Sequence, residues 1–294
     1  RKVLMQVTKQ SWVYTFDRET GEPVWPIEEL PVPAGDVPGE WYSPTQPFPT
    51  KPAPFDRQGI SEDDLIDFTP ELRGLALEAI QRFRLSPSVY SPPSEADAAD
   101  GTVGTLSLPD AIGGANWEGS AVDPETAILY IPSRTNVALL SVAKDENSDV
   151  DFSQSYGVRV PRIKGLPLVK PPYGRVTAID MNSGEHVFQV ANADTPDRIA
   201  NNAALAGLDI PRTGVATRSG LLLTKTLLFI GEGVGGGPTL RAHDKLTGDI
   251  VAEIDLPNTQ TGVPMTYEHD GKQFIVLTVS GSGSAAEIIA YALP

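Results

Sequence analysis

One eleven-residue pattern occurs three times and constrains the fold more than any other feature. Residues 15–25 read TFDRETGEPVW, residues 178–188 read AIDMNSGEHVF, and residues 242–252 read AHDKLTGDIVA. Each copy aligns an Asp (Asp17, Asp180, Asp244), a hydroxyl residue (Thr20, Ser183, Thr247) and a Gly (Gly21, Gly184, Gly248). These are the ingredients of a hairpin turn. The carboxylate can accept backbone N–H bonds two or three residues on, the hydroxyl adds a second local bond, and Gly takes the positive-φ position. Four residues after the Gly, Trp25 and Phe188 lie on the return strand of the first two copies, where a ring can pack against a neighbouring sheet. A single D-x-x-T-G is an ordinary turn. Three copies with matched flanks predict repeated sheet units.

The rest of the chain fits short strands punctuated by Gly, Pro and Asp. Strands are predicted over Val3–Thr8, Trp12–Phe16, Ala127–Ile131, Arg175–Ile179, His186–Val190, Gly220–Thr224, Leu227–Gly231, Leu240–His243, Ile250–Ile254, Gln273–Val279 and Ile288–Leu293. No βαβ alternation links them, which argues against a doubly wound sheet. The expectation is an all-β chain of four-stranded antiparallel blades. After its excursions are set aside it holds about four blades, half of a large ring. Residues 1–294 therefore read as one domain with excursions at 26–104 and 144–173. Nine prolines between Pro26 and Phe55 predict an extended loop. One helix is predicted over Pro70–Arg84, capped by Thr69, with Leu72, Leu75, Ala76, Ala79, Ile80 and Phe83 on one face. Ser61 with Asp64 predicts a capping-box-like turn just before it.

Composition narrows the function. A net charge of −15 repels phosphate, so nucleic acid and anionic membranes are poor partners. With no Cys, disulfides, thiolate metal sites and cysteine nucleophiles are excluded, and three His leave little for a histidine-built centre. No apolar run reaches membrane-spanning length. The chain opens on Arg1 in a strand-like run, which predicts a mature product or a piece of a longer protein.

Four stretches carry a resemblance to a known family: residues 8–25 (TKQSWVYTFDRETGEPVW), 44–52 (PTQPFPTKP), 114–124 (GANWEGSAVDP), and 262–271 (GVPMTYEHDG) with the tail 289–294 (IAYALP). Together they resemble the C-terminal half of pyrroloquinoline-quinone-dependent dehydrogenases, nearest to the glucose-, sugar- and alcohol-oxidising members. The resemblance implies an eight-bladed β-propeller of periplasmic location, with the quinone near the ring axis above a Ca²⁺-type ion. It implies a small-molecule alcohol or sugar substrate and an external electron acceptor, a quinone or cytochrome c. The metal ligands and the catalytic Asp are implied to lie upstream, in an N-terminal half of the same propeller that would be this chain's partner.

Three positions carry over from the family. Lys9 matches the lysine that reaches the quinone carbonyls, where an ammonium would stabilise a developing oxyanion. Asn116 and Trp117 match a pair that touches the cofactor, the amide by hydrogen bonds and the indole by its N–H or ring edge. Without the resemblance, Lys9 reads as a surface lysine at a strand end, and Asn116–Trp117 as a turn Asn beside a core Trp. Glu118 adjoins the pair as a weaker candidate base. His186, His243 and His269 read as exposed turn residues, Gly231–Gly237 as a tight inter-strand loop near the axis, and Asp63–Asp64 as helix-start carboxylates. The alternative reading is a cofactor-free propeller that serves as a protein-binding scaffold.

Overall fold

The computed structural model describes residues 1–292. Four antiparallel sheets stand side by side in chain order. The first is a hairpin of Val3–Val7 and Val13–Asp17. The second, here the central sheet, runs Ala121–Asp123, Ile128–Arg134, Gly174–Asp180 and Glu185–Ala191, each strand paired with the next. The third runs Leu221–Leu223, Leu227–Gly231, Thr239–Asp244 and Ile250–Asp255 in the same manner. The fourth has three strands, Met265–His269, Lys272–Val279 and Glu287–Ala292. The predicted Ile288–Leu293 strand falls on this last one, with Leu293 and Pro294 outside the described residues.

Period-two alternation explains how these sheets stack. Leu129 and Ile131 point toward the hairpin and pack with Val13 and Phe55. Between them, Tyr130 points the other way, to Leu221, Leu228 and Ile230 of the third sheet. Phe229 then faces Leu277 and Val279 of the fourth. The second and third sheets thus bury both faces and the first and fourth one each, and burying one such side chain contributes about 2 kcal/mol.

All three repeat turns form as the residue types require. Gly21, Gly184 and Gly248 have φ of +78°, +76° and +81°. Their N–H groups donate to the carbonyls of Asp17, Asp180 and Asp244 at 2.8, 2.7 and 2.9 Å. Each Asp Oδ1 accepts a backbone N–H two residues on, from Glu19, Asn182 and Leu246. The aromatic position does reach a neighbour. Trp25 lies against Gly184 and Phe188 against Gly248, so close that a Cβ on either glycine would collide or crowd. A fourth turn of this kind escapes the pattern because Ala replaces Gly. Asp123 Oδ1 accepts from Glu125 N, and Ala127, at φ +59°, donates its N–H to the Asp123 carbonyl.

The excursions are more structured than expected. Within the proline-rich stretch, Ile27–Pro31 pairs with Thr45–Pro49. Parity permits this: Pro47 faces outward, its carbonyl accepting from the Tyr14 and Tyr90 hydroxyls, so its missing N–H leaves no gap in the ladder. The helix is shorter than predicted, Pro70–Ala79, with Thr69 Oγ1 accepting from Leu72 N at 3.2 Å. It ends because the chain turns at Ile80 to send Arg84–Leu85 into a sheet. That five-stranded sheet also includes Ser94–Glu95, Thr105–Ser107, Ala138–Ala143 and Ser153–Gln154. Two of its pairings are parallel, so the sheets are not all antiparallel as expected. Leu72 and Ala76 of the helix, with Ile80 just past its end, share a core with Leu106, Leu166, Leu168 and Tyr173, which ties both excursions together.

Candidate functional site

The strand registers give the sheets two distinct ends. Asp17, Asp123, Asp180 and Asp244 mark the turn end. The opposite, loop end carries the Thr8–Trp12 turn and the segments 109–119, 135–173, 192–220 and 231–238. Lys9, Asn116 and Trp117 all lie there.

Lys9 sits on the tight turn closed by Thr8 N to Trp12 O at 2.9 Å and Ser11 N to Thr8 O at 3.1 Å. Its carbonyl accepts from Gly114 N at 3.0 Å. Gly113, at φ +98°, packs so tightly on Lys9 that an added Cβ would lie 2.7 Å from the Lys9 Cα. Only glycine fits this crossing. The side chain is exposed, and its Nζ reaches the Ala111 carbonyl at 3.4 Å.

The 109–119 loop is held from below by Asp110. One carboxylate oxygen accepts from Ile112 N and Gly113 N, and the other from Arg134 at 2.6 Å and Asn136 at 2.7 Å. Asn116 donates from Nδ2 to the Ile112 carbonyl at 2.8 Å and accepts from Trp117 N at 2.9 Å. Trp117 is 60% exposed, not a core residue. Lys9 and Asn116 therefore both bond to one short segment, Ala111–Ile112, across more than a hundred residues of chain.

A recess beside this crossing is lined by Asn116, Glu118, Arg134, Thr217, Arg218 and Ser219. The Glu118 side chain is 8% exposed, with the Arg218 Nε 3.3 Å from its Oε1. Glu118 is thus buried against a guanidinium, and its carboxylate serves an ion pair with Arg218. Sequence reasoning passed over Arg218, Thr217 and Ser219. The one available signal was a lone Arg within the otherwise small and uncharged run Thr213–Gly220.

Other expectations need correction or sharpening. His243 is buried, 2% exposed, with Nδ1 at 2.8 Å from the Gly248 carbonyl, and burial lowers its pKa. Its strand is flanked by sheets on both sides, which the turn motif alone does not reveal. His186 is half-buried and His269 exposed. The Gly231–Gly237 segment is an inter-strand loop, as predicted, and it wraps its own Glu232. Glu232 Oε2 accepts from Gly237 N, and Oε1 pairs with the buried Arg241 at 2.5 Å. Arg241 also pairs with Asp194 and Glu253. Asp64 Oδ2 accepts from Ser61 N at 2.9 Å, a capping role. At the turn end, Lys245 reaches across from the third sheet to Asp123 at 2.6 Å. That hydrogen bond lowers Asp123 to about 2, against the upward push of burial. Among the described residues no group of three or more His, Asp or Glu is placed to hold a metal ion. No helix among them is long and apolar enough to cross a membrane.

Residues 1–275 match the family model described as glucose/ethanol/alcohol dehydrogenase, β-propeller domain, of the PQQ type. A quinate/shikimate dehydrogenase (quinone) of Acinetobacter baylyi is 27% identical over 97% of this chain and 37% of its own length. Quinoprotein glucose dehydrogenase A of Acinetobacter calcoaceticus is 28% identical over 98% of this chain and 38% of its own. The glycerol dehydrogenase large subunit of Gluconobacter thailandicus is 27% identical over 99% of this chain and 43% of its own. The chain thus spans roughly two fifths of the length of these relatives. Among solved structures, the quinohemoprotein alcohol dehydrogenase of Comamonas testosteroni superposes with a TM-score of 0.51 over 95% of this chain and 32% of its own, at 16% identity. That likeness speaks to a propeller-type all-β fold.

Proposed function

The chain belongs to the PQQ-type glucose/ethanol/alcohol dehydrogenase β-propeller family, and on that premise we propose that it forms the C-terminal half of an eight-bladed propeller of four-stranded blades. The whole enzyme would oxidise an alcohol or sugar hydroxyl at the loop end and work in the periplasm. The observation that carries this reading is the crossing of Lys9 over Gly113–Gly114, which sets an ammonium beside the loop bearing Asn116 and Trp117.

The residues at this crossing fit a planar, anionic quinone. Among the described residues the Lys9 ammonium has no carboxylate partner, and its one hydrogen bond, at 3.4 Å, is long enough for a ligand oxygen to replace. Trp117 leaves its ring uncovered. Pyrroloquinoline quinone, when bound, supplies the acceptor for the two electrons and the hydrogen that leave the substrate carbon, ahead of an external quinone or cytochrome c. The Lys9 ammonium would hold positive charge at a carbonyl oxygen where negative charge grows. Asn116 keeps one amide hydrogen after bonding Ile112, and so can donate once more. The indole of Trp117 would offer a flat apolar surface that excludes water. A Ca²⁺ ion and the base that takes the hydroxyl proton are assigned by this reading to the N-terminal half.

A visible-absorption titration of the full-length protein with the quinone, with and without Ca²⁺, tests the proposal. A saturable spectral change that strengthens with Ca²⁺ is expected. A flat titration under both conditions would turn the reading toward a cofactor-free scaffold.

A further inference from the structure

A second cleft opens at the loop end, separated from the recess by single strands of backbone. Arg134 and Thr217 line the recess, while the next residues outward, Thr135–Val137 and Gly214–Ala216, line the cleft. Its volume is about 380 Å³, within the range of small-molecule sites.

The charge of this cleft runs against the rest of the molecule. In a chain of net charge −15, three arginines, Arg159, Arg162 and Arg198, line it, and no carboxylate among the described residues does. None of the three is in an ion pair among the described residues, whereas Arg134, Arg212, Arg218 and Arg241 nearby each face a carboxylate. Among the described residues the only hydrogen bond from the three side chains is a long one, Arg162 to the Gly165 carbonyl at 3.4 Å. The polar wall groups are already engaged: Thr135 donates to Asp56, Asn136 to Asp110, and Tyr173 to the Val169 carbonyl. The rest of the wall is exposed backbone and the apolar side chains of Val160, Pro167 and Val215.

We propose that this cleft is a binding site for a ring-sized organic acid, its carboxylate taken by Arg159, Arg162 and Arg198 and its body by the apolar wall. Guanidinium forks match carboxylate geometry, and unpaired arginines around an apolar floor select a ligand with both features. A bare anion would leave the floor wet, and a neutral ring would leave three guanidiniums without a partner. The site is independent of quinone binding.

Calorimetric titration of the quinone-free, full-length protein tests it, with cyclohexanecarboxylate, its amide and acetate as probes. The ring acid is expected to bind at least about tenfold tighter than either control, since one charged hydrogen bond is of that order. The Arg162→Gln/Arg198→Gln variant is expected to lose that preference at an unchanged melting temperature, because these side chains are exposed and form no ion pair among the described residues. Equal binding of acid and amide, acetate binding as tightly as the ring acid, or an unaffected variant would each overturn the proposal. So would binding of acidic peptides but no small acid. In the quinone-loaded enzyme, competitive inhibition by the ring acid would identify the ligand as the substrate's own carboxylate. Non-competitive binding would identify a separate ligand at the same site.

Discussion

The two ends of the same sheets obey different rules. At the turn end, one short motif recurs, and each carboxylate spends its hydrogen bonds on the turn it belongs to or on a nearby cation, Arg1 for Asp17 and Lys245 for Asp123. At the loop end, the strands run out into long irregular segments, and buried polar atoms are left without partners among the described residues, including Ser11 Oγ, Arg134 Nε and Asn192 Oδ1. Buried polar groups are nearly always satisfied in a finished structure, so each such exception at the loop end is a group that a ligand or water can still satisfy. On the proposed reading, the turn end holds the fold and the loop end holds ligands.

Breaking the Lys245–Asp123 pair is the severest test of the turn end. The pair joins two sheets and is almost fully buried, so Lys245→Met strands a carboxylate. A loss of about 3 kcal/mol or more is expected in denaturant unfolding, with quinone affinity unchanged. A variant that folds normally but loses the quinone would reverse the assignment of the two ends.

Acid should undo the same pair. Asp123 is held at about 2 when folded, below the ordinary 3.8, so its contribution is present above pH 4 and is lost as pH falls toward 2. The melting temperature should therefore drop over that window, and Asp123→Asn should drop less. Parallel acid profiles would remove Asp123 as a source of the loss.

The smallest effect is a gain. Ala127 holds a left-handed conformation at φ +59° that its three counterparts give to glycine. Ala127→Gly should raise stability by about 1 kcal/mol, a shift of about 2 °C in melting temperature. No gain would mean that Ala127 makes packing contacts worth as much as the strain.

Much of the turn end was legible because its chemistry is local. Asp, Ser/Thr and Gly at fixed spacing define a hairpin with no help from the rest of the chain. The fourth turn, at Asp123–Ala127, was missed for the same reason: the motif was sought through its glycine. The pairing of Lys245 with Asp123 depends on which sheets become neighbours, which spacing does not encode. The same holds for the burial of His243. In the proline-rich stretch, composition forbade a ladder that parity allows, since Pro47 turns its missing donor outward. At the loop end, the resemblance singled out Lys9, Asn116 and Trp117, but nothing local obliged them to meet. The approach of Lys9 to the Ala111–Ile112 segment that Asn116 also bonds depends on Gly113, where an added Cβ would collide with Lys9. The Arg218–Glu118 pair and the arginine cleft left almost no signal, because their members come from separate loops.

The central claim is that Lys9 serves chemistry and not the fold. Steady-state turnover and melting temperature of the quinone-loaded full-length Lys9→Ala protein test it together. Removing one stabilising donor of this kind costs about 10²–10³ in rate. An exposed side chain with a single long hydrogen bond contributes little to stability. The account predicts a rate reduced by that factor at a melting temperature within about a degree of the parent. Near-normal turnover, or a rate loss matched by a collapse in melting temperature, would contradict it.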